Sequence, residues 1–135
     1  MRVDITGLER WHFAMSEEMA NALLRLVLTG KKRATASALP GYALSSEDIP
    51  QAGEMSVITW WDGTPACVVR TTRVSIIPYR EITFDIARLE GEDDDLASWQ
   101  RHHQAFFAAE GAELGYIFTE DMPIVFEEFE VIETL

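Results

Sequence analysis

Lys31, Lys32 and Arg33 are three consecutive cations in a chain with 23 acidic and 11 basic residues. Two hydroxyls follow them directly, Thr35 and Ser37, and Gly30 stands just before. Amines beside alcohols suggest nucleophilic chemistry. A hydroxyl becomes a nucleophile when a neighbouring base takes its proton, and a lysine can do so only when neutral. A free lysine titrates near ~10.4. Flanking cations and burial push that value down, and an opposing carboxylate pulls it up. The chain supplies such carboxylates in one run, Glu90, Glu92, Asp93, Asp94 and Asp95, with Gly91 inside it. The bland alternative is a solvated basic turn after a helix and a solvated acidic helix start.

These residues need elements to position them. Ser16 is a natural N-cap, and Glu17 and Glu18 suit the first turn of a helix. Met19, Leu23 and Val27, with Ala20, Leu24 and Leu28, recur at helical spacing. The pattern predicts a first helix over about 16–29, ended by Gly30 in a left-handed conformation. Residues 38–53, with Pro40, Gly41, Ser45, Ser46, Asp48, Pro50 and Gly53, read as a long loop, and such a loop commonly forms a lid or binding wall. The stretch 54–61, the Asp62-Gly63 turn and the run from Ala66 to Val74 predict a β-hairpin that Pro78 breaks. Asp93 or Asp94 can cap a second helix carrying Leu96, Trp99, His103 and Phe106, with Gly111 as its stop. Met122 to Ile132 reads as a final strand, with a bulge near Glu127-Glu128. The order helix, hairpin, helix, strand predicts an α+β fold whose sheet is mainly antiparallel, with a small barrel as one form.

The 135 residues match one domain, 1–135. A net charge of -12 repels long polyanions and leaves room for a small ligand on a local basic patch. The single cysteine, Cys67, allows no internal disulfide and fits a reducing cytoplasm. No signal pattern and no membrane-spanning apolar run is present in the sequence, so a cytoplasmic protein with no membrane partner is expected.

The set Gly30-Lys31-Lys32-Arg33-Ala34-Thr35-Ala36-Ser37, Val69 to Val74, Glu90-Gly91-Glu92, Trp99, His103, Phe106-Phe107 and Val125 to Phe129 resembles the ASCH domain family, in its branch with an EGE…W…H…FF block. The resemblance runs from about Trp11 to Ile132. It implies a β-barrel similar to the PUA domain, an RNA-binding module, with flanking helices. Some bacterial members are amidohydrolases that deacylate N4-acylated cytidine nucleosides with a Lys, a Thr three residues later and a downstream Glu. Matched to this sequence, the set is Lys32, Thr35 and Glu92, with Glu90 as the second candidate for the carboxylate. A ribonuclease activity is also ascribed to a member of the family.

On this reading Thr35 is the nucleophile, Lys32 the base and later proton donor, and Glu92 the orienting or shuttling acid. Lys31, Arg33, Ser37, Trp60 and Glu90 are candidate ligand contacts. Trp60 or Trp61 offers a stacking surface for a base, against the bland reading that both pack in the barrel. No cofactor is expected, and clustered carboxylates without a spaced loop pattern are weak metal evidence. His103 reads as a satisfied core histidine and Cys67 as inert core. The partner is a nucleoside-like small molecule or RNA. A deacylase predicts an enclosed pocket in which Lys32, Thr35 and Glu92 converge, an RNA-binding module predicts a continuous basic stripe, and a ribonuclease would use Lys32 with a histidine or an acid.

Overall fold

The computed structural model describes residues 3–135. One curled sheet carries the chain, its five strands in the order β1-β3-β4-β5-β2. They are β1 Glu9–Trp11, β2 Ala34–Ala38, β3 Met55–Thr59, β4 Pro65–Pro78 and β5 Pro123–Thr134. Only β1 and β3 pair in parallel; the other neighbours are antiparallel. Four helices flank the sheet: α1 Glu17–Leu28, α2 Leu39–Leu44, α3 Phe84–Ala87 and α4 Leu96–Leu114. This is the expected α+β class, in the form of a half-barrel. Among the described residues no helix is long and apolar enough to cross a membrane.

The register of β4 against β5 slips at Val68/Val69 and at Thr71/Arg73. An unpaired extra residue bends and twists a strand, and here two of them help curl the long central pair. The expected irregularity near Glu127-Glu128 therefore occurs opposite Glu128 and Phe129, with Thr72 of β4 as the extra residue. Apolar packing falls into two clusters. Phe13, Leu24, Val27, Ile58, Cys67, Val69 and Phe129 lie around α1. Tyr79, Ile82, Trp99, Phe107, Met122 and Ile124 lie around α4.

Local signals set the ends of α1. The Ser16 hydroxyl accepts from the Met19 N–H, and the Ala20, Leu24, Val27 stripe is buried. At the far end Gly30 adopts φ 81, and the N–H groups of Gly30 and Lys31 donate to Val27 and Leu26. That double bond pattern is a Schellman turn. It reverses the chain directly into β2.

Three expectations are corrected. Residues 38–53 are not one loop, because α2 fills Leu39–Leu44, with Pro40 in its first turn where proline is tolerated. Asp95, not Asp93 or Asp94, caps α4, its side chain accepting from Ser98 N–H. Gly111 does not stop α4. It is buried inside the helix, where a Cβ would come within 2.3 Å of the Tyr116 carbonyl, and Gly115 at φ 104 ends the helix.

Candidate active site

Lys32 follows the Schellman turn and enters the protein between the two clusters. Its side chain is 1% exposed. Its Nζ donates to the Ala34 carbonyl at 2.8 Å, to Glu90 Oε1 at 3.3 Å and to Glu92 Oε2 at 2.6 Å. The Phe13 ring lies 5.2 Å from the ammonium. Both carboxylates come from the bend after α3, where a 3-10 turn, Arg88–Glu90, ends in Gly91 at φ 69. Only glycine fits there, because a Cβ at position 91 would meet the Lys31 carbonyl at 2.3 Å. The close approach of the two backbones is what brings Glu90 and Glu92 to Lys32.

Glu90 is buried, and its second oxygen accepts from Trp99 Nε1 and lies 3.1 Å from His103 Nε2. His103 Nδ1 bonds the Trp99 carbonyl at 2.9 Å, and its ring stacks on the indole with centroids 4.1 Å apart. Burial works against ionising Glu90. The Lys32 charge and the His103 and Trp99 bonds outweigh it and hold the carboxyl well below the usual range. Glu92 moves the opposite way: burial and the charge of Glu90 raise it in spite of Lys32. His103 is raised too, because the Glu90 bond and the two carboxylate charges outweigh burial. Of the two acids, Glu90 is thus the fixed charge and Glu92, 19% exposed, is the one that takes a proton more readily.

Glu90, Glu92 and His103 offer donor atoms within 4.8 Å of one another, a spacing that suits a metal. The Lys32 ammonium already bonds both carboxylates, so the site's positive charge is built into the chain.

Thr35 takes a different place. None of the bonds that hold Lys32 involves it. As the second residue of β2 it lines a cleft of about 650 Å³, together with Ser37, Phe13, Trp11, Tyr42, Phe106 and Thr71. The same wall carries six acids, Glu9, Glu47, Asp48, Glu54, Glu110 and Glu127, and no lysine or arginine. Phe13 belongs to both regions: it lines the cleft and covers the Lys32 ammonium.

The sequence-derived set is therefore split. Lys32, Glu92 and Glu90 meet in one buried network, while Thr35 and Ser37 open onto the adjoining cleft. Lys31 and Arg33 are exposed and do not line it. The Arg33 backbone instead bridges Leu89 and Phe129. Trp60 is also absent from the cleft wall. It packs on the α1 cluster with Arg25 5.8 Å from its ring, because β3 ends at Thr59 and the chain turns there. Cys67 is buried, and burial pushes its thiol up to about 11.

Sequence reasoning did not link His103 to a carboxylate, although it is the core histidine expected. It also missed Glu127, whose signal was available: a carboxylate interrupts the apolar alternation of β5. Glu127 accepts from Thr71 Oγ1 at 2.6 Å. Burial, with Glu54 and Glu9 nearby, raises its carboxyl.

Residues 9–133 match the model of the ASCH domain. The structure is similar to the crystal structure of an ASCH domain from Lactobacillus crispatus JV V101, at 42% identity and a TM-score of 0.85 over 93% of this chain and 80% of that one. It is also similar to a protein from Enterococcus faecalis V583, at 34% identity and a TM-score of 0.89 over 98% and 80% of the two chains. A hypothetical protein at 16% identity and a TM-score of 0.53, covering 91% of this chain and 99% of that one, shares the fold. No curated protein matches the chain significantly.

Proposed function

The chain belongs to the ASCH domain family, whose PUA-like fold is often linked to RNA binding, and from that premise we propose that it is an amidohydrolase acting on an N4-acylated cytidine or a related nucleoside. One observation carries the reading: a buried Lys32–Glu92 pair with a 2.6 Å bond stands behind the wall of a nucleoside-sized cleft that Thr35 lines.

In the reaction Thr35 Oγ adds to the acyl carbonyl. For its proton to pass to Lys32 as Lys32 gives one to Glu92, whose raised pKa suits it to accept, the ammonium must leave the Ala34 carbonyl and turn to Thr35, with which it shares no bond in this structure. The C–N bond then breaks and the amine leaves with a proton returned by the pair. Water cleaves the Thr35 ester and releases the carboxylic acid. Glu90, bonded by Trp99 and lying against His103, keeps the Lys32 side chain in place. No cofactor enters this scheme. The single buried thiol, Cys67, suits a cytoplasmic setting.

The other reading, an RNA-binding module or ribonuclease, draws on the exposed Lys31 and Arg33. Phosphate binding needs several such contacts along a groove, and the cleft wall presents carboxylates instead. The nucleoside reading is therefore preferred.

Purified protein incubated with N4-acetylcytidine is expected to yield cytidine and acetate, measured by chromatography. Thr35→Val, a change at the cleft surface, is expected to keep the fold and abolish turnover. Absence of product from the wild-type protein would overturn the proposal.

A further inference from the structure

The catalytic reading above uses Lys32, Thr35 and Glu92 and leaves the cleft's own carboxylates without a task. One of them stands in a special position. Thr35 of β2 and Glu127 of β5 are directly paired across the sheet. Residues paired in this way share a face, with their Cβ atoms roughly 4.5–5.5 Å apart. Both line the cleft. The slip that skips Thr72 in β4 brings Thr71 within reach, and its hydroxyl donates to Glu127 Oε2 at 2.6 Å. Thr71 is 3% exposed, so this bond holds Oε2 from the buried side, and among the described residues Oε1 has no such partner.

We propose that Glu127 reads the ligand, with Oε1 accepting the N4–H of a cytosine-type base while Thr35 faces the acyl carbon attached to the same nitrogen. This deepens the deacylase reading and rests on it. A carboxylate is the natural acceptor for the amino group of cytosine and has nothing to offer a carbonyl at that position. Uracil-type bases are therefore rejected. The remaining wall adds a second selection. Glu9, Glu47, Asp48 and Glu54 surround the cleft with negative charge, and the charges of Glu54 and Glu9 already reach Glu127. A phosphate on the ligand would meet these groups without a lysine or arginine to answer them. The substrate class is the free nucleoside, and nucleotides and RNA ends are excluded.

The test compares cytidine, uridine and cytidine 5′-monophosphate binding to the full chain by calorimetry, for the wild type and for Glu127→Gln. The wild type is expected to prefer cytidine over uridine by about tenfold or more, and cytidine over its monophosphate by a similar factor at low salt. In Glu127→Gln the amide oxygen takes over the Thr71 bond and the NH₂ turns to the ligand. The cytidine preference is then expected to vanish or invert, with an unchanged circular dichroism spectrum. A variant that keeps the wild-type preference, or a monophosphate that binds as well as cytidine, overturns this inference. If the wild type nonetheless converts N4-acetylcytidine, the hydrolase reading stands. If it neither turns over that compound nor binds any of the three ligands, the hydrolase reading fails and takes this inference with it.

Discussion

The Lys32 network and the Thr35 cleft adjoin across Phe13, yet they treat charge in opposite ways. In the network a single ammonium donates to two carboxylates and a carbonyl, and the Trp99 indole and His103 complete Glu90. The cleft is lined by six acids with no lysine or arginine among them. A buried charge with its partners present is locked in, and removing one partner leaves the rest stranded. An acid on an open cleft wall is at most part-buried and does not depend on a single counter-charge. The difference teaches that the acids that hold the fold together and the acids that line the cleft are separate sets.

The largest effect should follow from breaking the network. Lys32→Met is expected to cost about 3–5 kcal/mol of unfolding free energy, because Glu90 stays buried without its counter-charge. Urea denaturation at neutral pH measures this. A loss below 1 kcal/mol would mean that the network is far more hydrated than its burial shows.

A smaller effect is set by acid. The Glu90 pKa lies lower in the folded protein than in the unfolded chain, so its contribution is complete above about pH 4.5 and fades as pH falls toward 2. Glu92, raised, runs the other way and costs the fold as pH rises above 4.5. His103, also raised, supports the fold below its ordinary value of 6.5 and loses that support as pH climbs through its folded value. Glu90→Gln should therefore lower stability at neutral pH and flatten the acid limb between pH 4.5 and 2. An acid limb of unchanged slope, followed by urea midpoints, would remove Glu90 from the account.

The smallest effect is expected in the cleft. Glu127→Gln should change stability by no more than about 0.5 kcal/mol, and in the stabilising direction at pH 7, because the raised acid ionises there at a cost. The thermal midpoint checks the sign. A loss as large as that of Lys32→Met would erase the distinction between the two regions.

Much of this architecture could be read from the sequence. Ser16, the Ala20–Leu24 spacing and Gly30 delimited α1 because caps and periodicity are local. β2 escaped because Ala34-Thr35-Ala36-Ser37-Ala38 has one β-branched residue and its alternation rests only on alanines, a weak apolar signal; its pairing with β5 makes it a strand. Gly111 was misread because a glycine needed for close packing against Tyr116 looks in sequence like one needed to end a helix. The meeting of Lys32 with Glu90 and Glu92, 58 and 60 residues away, came from family resemblance, since nothing in spacing encodes it. The cleft acids arrive from separate segments at 9, 47–54, 110 and 127, and only the folded sheet assembles them.

The bond from Lys32 to the Ala34 carbonyl has a consequence in time. It fastens the start of β2 to the buried Lys32 network, one residue before Thr35. The opposite rim of the cleft, from Ser45 to Glu54, has neither helix nor strand. Amide exchange should be slow beside the hydroxyl and fast over residues 48–52, between the backbone bonds that hold residues 45–47 and 53–54. Molecules would then enter and leave by the rim's own fluctuations, while the alcohol that meets them stays still.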